Sequence, residues 1–113
     1  MAEVRLVEAS QVLTHVAVSG RLDAAGVGQV DLKLSSLTVA LRRPAVIDLS
    51  EVTLLTSLGI GMLATVAKAM RSHGLKVAVV AADPQVTRVL EMASVATLLP
   101  VAPTREDALR ALA

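Results

Sequence analysis

Residues Glu3 to Glu8 alternate, with Val4 and Leu6 on one side and Arg5 and Val7 on the other, and this two-residue period predicts a short strand. Ser10-Gln11 reads as a turn. Val12 to Val18 reads as a second strand, paired with the first as a hairpin. Gly20-Arg21-Leu22-Asp23 is expected to break it. From Ala24 to Leu41 the period changes: Val27, Val30, Leu34, Leu37 and Leu41 recur at steps of three and four, which is one face of a helix. Asp23 suits its N-cap, and Arg42-Arg43 suits its C-terminus before Pro44 stops it.

Ala45 to Leu49 is nearly all apolar, as a central strand covered on both faces requires. A second helix is predicted from Ser57 to His73, with Ile60, Leu63, Ala64, Ala67 and Met70 on one face and Gly74 as its stop. Leu75 to Ala82 is a further buried strand. Asp83-Pro84 opens a short helix with an N-cap acid and proline at the first helical position, and Val86, Val89, Leu90 and Ala93 form its inner face. Val95 to Val101 is predicted as the last strand. A terminal helix opens at Pro103, with Thr104 and Asp107 at capping-box spacing. The order β-β-α-β-α-β-α-β-α is that of an α/β fold: a mixed sheet of four to five strands, parallel after the N-terminal hairpin, covered by about four helices.

Composition narrows the function more than the fold. The chain has 113 residues, the size of one domain, and it is 54% hydrophobic without Phe, Trp or Tyr. Its longest apolar runs fall far short of the ~20 residues that cross a bilayer, so no membrane insertion is expected. The N-terminus, Met1-Ala2-Glu3-Val4-Arg5, lacks the apolar core of a signal peptide, and a soluble cytoplasmic protein is the expectation. Without cysteine there is no disulfide, thiolate metal site or thiol catalysis. The net charge is +1, and neither a basic stripe nor an aromatic stacking residue supports nucleic-acid binding.

The candidate chemistry lies at the predicted start of the second helix, Thr56-Ser57-Leu58-Gly59-Ile60-Gly61. A helix N-terminus offers free N–H groups and the positive end of the dipole. Ser57 there either caps the helix, worth ~1 kcal/mol, or carries a phosphate as a switch. Gly59 and Gly61 cost up to ~1 kcal/mol each relative to alanine, unless an internal neighbour or a partner protein approaches the backbone closely. The Walker pattern fails, with one residue between the glycines and no lysine nearby. The dinucleotide fingerprint fails because Gly26-Val27-Gly28 is followed by Asp31, not glycine. Asp48 ends a strand where a receiver domain carries its phosphorylated aspartate, but the paired acids and the lysine of a receiver are missing. Asp48 is expected instead to order a loop from Leu49 to Thr56. A serine hydrolase is excluded: His73 lies ~24 Å of helical rise from Ser57, and His15 is expected at the surface. No catalytic residue, metal site or cofactor is expected.

Val46-Ile47-Asp48-Leu49-Ser50-Glu51-Val52 followed by Thr56-Ser57-Leu58-Gly59-Ile60-Gly61 resembles the signature of STAS domains, and within them the small bacterial anti-sigma factor antagonists. Gly20-Arg21-Leu22-Asp23 is similar to the family's Gly-x-Leu/Ile-Asp. The resemblance runs over essentially the whole chain and implies a single STAS domain over residues 1–113. It puts the phosphoacceptor at Ser57, with Thr56 where the family usually has aspartate and Leu58 where it usually has a small residue. Asp23 joins the same polar patch, and Thr56 to Gly61 form the partner-binding stretch. The implied partner is an anti-sigma factor of histidine-kinase-like ATPase fold. It binds the unphosphorylated domain, frees the sigma factor, and phosphorylates Ser57 as a serine kinase; a serine phosphatase resets the switch. Two other functions remain open at this level: a STAS subunit with no phosphorylation cycle, in a lipid transporter or a stress-signalling scaffold, and a nucleotide-binding or nucleotide-hydrolysing protein.

Overall fold

The computed structural model describes residues 1–93 and 99–112. Five strands form one sheet in the order β1-β2-β3-β4-β5: β1 (Glu3–Ala9), β2 (Thr14–Leu22), β3 (Ala45–Leu55), β4 (Val77–Val80) and β5 (Val101–Ala102). The β1–β2 hairpin is antiparallel and every later pairing is parallel. The helices are α1 (Ala24–Thr38), α2 (Ser57–Ser72), α3 (Pro84–Met92) and α4 (Arg105–Leu112). The strand expected over Val95–Val101 falls largely on residues 94–98, outside the described residues; β5 begins at its last residue.

The sequential strand order fixes which face each helix covers. Every parallel step moves the same way across the sheet, and right-handed crossovers then put all connecting helices on one side. Val30 and Leu34 of α1, Leu63 and Met70 of α2, and Val86 and Leu90 of α3 accordingly share one core with Val16, Val18, Ile47 and Val79. Among the described helices only α4, which follows the last strand, is free to fold onto the other face, where Ala108, Leu109 and Leu112 meet Val46, Ala78 and Val80. No helix among the described residues is long and apolar enough to cross a membrane.

Four elements differ from their sequence expectations. β3 runs on to Leu55 instead of ending near Leu49, so the loop assigned to Asp48 is strand. Two register shifts against β2 hide it: Ala17 pairs with Asp48 but Ser19 with Glu51, and Gly20 pairs with Val52 but Arg21 with Leu54. Each extra residue on β3 is a bulge that resets the alternation, so Leu49, Val52 and Leu55 reach the core at steps of three. At the first bulge Asp48 Oδ1 accepts from Ser50 N–H (2.9 Å) and from its hydroxyl (2.5 Å). β2 likewise passes through Gly20-Arg21-Leu22; the position takes glycine because its φ is +92 and because a Cβ would meet the Met1 carbonyl oxygen at 2.5 Å. α1 stops at Thr38, short of Leu41. The Thr38 hydroxyl donates to the Leu34 carbonyl at 2.7 Å, and Arg42 in the left-handed region (φ 56) turns the chain toward Pro44. The inner face of α3 ends at Leu90, since Ala93 is its exposed C-cap.

The caps follow the sequence. Asp23 Oδ1 accepts from Gly26 N–H at 2.9 Å, Asp83 Oδ1 from Gln85 N–H at 2.8 Å, and the Thr104 hydroxyl from Asp107 N–H at 3.2 Å. α2 closes with Gly74 N–H to the Arg71 carbonyl and Leu75 N–H to the Met70 carbonyl, both 2.9 Å, around Gly74 at φ +71.

His15 is 6% exposed, not a surface residue. It stands on the face covered by α4, which a reading of one polar and one apolar side per strand does not foresee. Neither ring nitrogen has a hydrogen-bond partner among the described residues, and Nε2 lies 3.8 Å from Asp48 Oδ2, too far for a hydrogen bond. Burial holds its pKa below the ordinary histidine value, helped by Arg105 of α4 and opposed by Asp48 of β3 and Glu8 of β1. A depressed histidine binds its proton more readily in the unfolded chain. Its contribution to stability is therefore complete above the unfolded value of ~6.5 and is lost as pH falls below it. Thermal unfolding between neutral and mildly acid pH is expected to shift down more steeply for the wild type than for His15→Leu; parallel profiles would contradict this role.

Candidate functional site

The C-terminal ends of β2 and β3 bring the predicted site residues together. Leu22 and Leu55 are register partners, so Asp23 and Thr56, the next residues, leave the sheet side by side and cap α1 and α2. The junction is pinned at one atom. The Leu22 carbonyl accepts both the Thr56 N–H (3.3 Å) and the Thr56 hydroxyl (2.5 Å).

That bond decides what Thr56 does. It is the N-cap residue of α2, and its own carbonyl accepts from Ile60 N–H at 3.0 Å, but its side chain makes no capping bond. An aspartate here has no proton to give the Leu22 carbonyl and turns its oxygens to the helix N–H groups instead. With threonine, the first turn of α2 keeps unsatisfied donors and contains no acid. Ser57, the first helical residue, is exposed, and its hydroxyl makes no hydrogen bond to another described residue. Of two adjacent hydroxyls, one is committed to the fold and the other faces solvent.

The remaining predicted residues divide by face. Gly59 is buried: an added Cβ would lie 2.8 Å from Leu55 Cδ1, 2.9 Å from Leu22 Cβ and 3.2 Å from the Leu22 carbonyl oxygen. Gly61 points outward, with nothing within 4 Å. The two glycines thus have opposite surroundings. Ile60 is half-buried against the main core, and Leu58 is 53% exposed. Leu54 is 36% exposed, whereas Leu55 is buried. Asp23 sits next to the serine's helix with its pKa lowered, first by the Gly26 N–H it accepts and then by Arg21, whose Nε is 3.4 Å away.

Sequence reading missed Gly26. A Cβ there would lie 1.7 Å from the Arg21 carbonyl oxygen, so the first turn of α1 presses directly on the strand end that carries Leu22. A glycine three residues after a capping aspartate was the available signal.

The model of the STAS domain matches residues 4–108. The chain belongs to the STAS domain family. A comparison with curated protein sequences finds no match. Among solved structures, this STAS domain is similar to an anti-sigma factor antagonist from Mycobacterium paratuberculosis, with 28% identity and a TM-score of 0.84 over 99% of this chain and 94% of that one. It is similar to an anti-sigma-factor antagonist (STAS) domain protein from Planctomyces limnophilus, with 25% identity and a TM-score of 0.76 over 100% and 99% of the two chains. The fold also matches the phosphorylated form of the Bacillus cell fate determinant SpoIIAA, at 15% identity and a TM-score of 0.69 over 98% and 100%.

Proposed function

We propose that this STAS domain is an anti-sigma factor antagonist controlled by phosphorylation of Ser57. The unphosphorylated domain binds an anti-sigma factor of histidine-kinase-like ATPase fold and thereby frees a sigma factor. The partner transfers a phosphate to the Ser57 hydroxyl and dissociates, and a serine phosphatase restores the binding form. The domain itself is not an enzyme and works in the cytoplasm.

The observation that carries this reading is the exposed Ser57 hydroxyl at the first position of α2, beside a Thr56 hydroxyl already given to the Leu22 carbonyl. Phosphate adds about −1.5 to −2 charge at neutral pH. At a helix N-terminus that charge meets N–H donors and the positive dipole end, so the domain keeps its fold. Its effect falls on the docking face, where the exposed Leu58 and the open Gly61 flank the serine.

Ser57→Asp is expected to unfold at the wild-type temperature and to bind the anti-sigma factor about 10- to 100-fold more weakly, roughly 1.4 to 2.7 kcal/mol. Calorimetric titration of the two purified proteins measures it, and equal affinities would end the proposal. The neutral N-cap at Thr56 favours one other reading, a STAS subunit without a phosphorylation cycle. Incubation with the kinase and ATP separates the two: a phosphate mass shift on Ser57 supports the switch, and an unmodified chain supports the subunit.

A further inference from the structure

Two polar side chains at the seam between α4 and the sheet are buried without being satisfied. Among the described residues, neither ring nitrogen of His15 nor the Nε of Arg105 has a hydrogen-bond partner. Buried polar groups in folded proteins are nearly always bonded, so each exception needs a reason. Here all three atoms would be solvated if α4 were not docked.

The helix is also held lightly. Of its eight residues only Ala108 is buried, and Leu109 and Leu112 pack half-buried against Val46, Ala78 and Val80. Arg105 pairs with Glu8 of β1, but both side chains are partly exposed, and such pairs add little. The sheet ladder runs from β1 to β5 without α4, so its departure breaks no strand pairing. A segment with so small an apolar contact opens before the whole domain does.

The charges around His15 set the direction in which a proton acts. Glu8 on β1 is its register partner, Asp48 Oδ2 on β3 lies 3.8 Å from Nε2, and Arg105 acts on it from α4. Of the other charged residues on α4, Asp107 pairs with Arg110 and Glu106 is exposed. With α4 docked, burial and Arg105 disfavour a proton on the ring more than Asp48 and Glu8 favour it. With α4 lifted, the burial and Arg105 are gone and both carboxylates stay. A proton therefore binds the open form more tightly than the docked form, and by linkage it favours opening.

We propose that α4 is an acid-released cover: protonation of His15 lifts it from the sheet while β1 to β5 and α1 to α3 stay folded. Release uncovers an apolar strip of Val46, Ala78, Val80 and Ala102. The opening constant rises as pH falls below the open-form value of ~6.5, by up to about ten-fold per pH unit, and levels off below the docked-form value.

Native-state hydrogen exchange, read by NMR and corrected for the pH dependence of the chemical rate, measures that constant. The Ala108 N–H, bonded to the Thr104 carbonyl at 3.0 Å, reports on α4, and the amides of β2 and β3 report on the whole domain. Between about pH 7.5 and about pH 5.5 the opening at Ala108 is expected to rise about five-fold or more in the wild type and to stay well above that of the strand amides. His15→Leu is expected to lose most of this rise. Ala108→Asp puts a charge where the helix is buried and lifts α4 at any pH; its His15 titrates at higher pH than in the wild type, with the exposed His73, the only other histidine, as an unmoved reference. Equal opening of α4 at the two pH values, exchange at Ala108 no faster than in the strands, or the same acid response in His15→Leu would each overturn the proposal. So would a His15 titration that Ala108→Asp leaves in place.

Discussion

Gly26→Ala is expected to destabilise the domain by at least about 3 kcal/mol, at the upper end of what overpacking costs, and to lower the unfolding temperature on the order of 10 °C. Alanine gains up to ~1 kcal/mol of helix propensity over glycine, so the sign is a contest between propensity and sterics. The sterics prevail because the obstacle is backbone. The added Cβ would lie 1.7 Å from the Arg21 carbonyl oxygen and 2.9 Å from its carbon. Relief requires the Arg21-Leu22-Asp23 segment to move by more than an ångström. That segment is held by the Asp23 carboxylate on Gly26 N–H at 2.9 Å and by the Thr56 hydroxyl on the Leu22 carbonyl at 2.5 Å. Moving it damages the α1 cap and the α2 start together. Thermal and urea unfolding give the answer, and a loss under 1 kcal/mol would show that α1 tilts away without cost.

The second large effect separates two glycines that look alike in sequence. Gly59→Val is expected to cost about 2 to 3 kcal/mol, because its first carbon already stands 2.8 Å from Leu55 Cδ1 and 2.9 Å from Leu22 Cβ, and two more carbons have no space. Gly61→Ala is expected to stabilise by up to ~1 kcal/mol, since nothing lies within 4 Å of it. Opposite shifts in urea midpoint at an unchanged slope are the expected result. Shifts of the same sign would mean that the packing at the head of α2 differs from this description.

These cases show where the sequence is legible. The helices could be read because their inner faces repeat cleanly, as Leu63, Ala67 and Met70 do on α2, and because Asp23, Asp83 and Thr104 cap in place. β3 was cut short because two bulges turn a two-residue period into steps of three at Leu49, Val52 and Leu55, which no alternation pattern reports. His15 was misplaced because α4 covers the second face of the sheet, a fact of tertiary layering that a single strand's pattern does not carry. At the candidate site, the resemblance to the family signature points to the Thr56 to Gly61 stretch. The role of Thr56 needed the structure, since its acceptor is a carbonyl 34 residues away in the chain. Gly26 reads in sequence only as part of a nucleotide motif that fails, because its close approach to the Arg21 carbonyl depends on how α1 leaves β2.

The strand order has a kinetic consequence. Because β1 to β5 stand in the sheet as they do in the chain, each strand pairs with an edge laid down by its immediate predecessor, across a hairpin turn for β2 and, among the described residues, across one helix for each later strand. Short closures lose little chain entropy and are reached quickly. The hairpin and α1 have all their sheet partners except β3 within the first 38 residues, so the contacts they need do not wait for β4. α4 comes last, and until it docks, His15 and Val46 on the uncovered face remain in water.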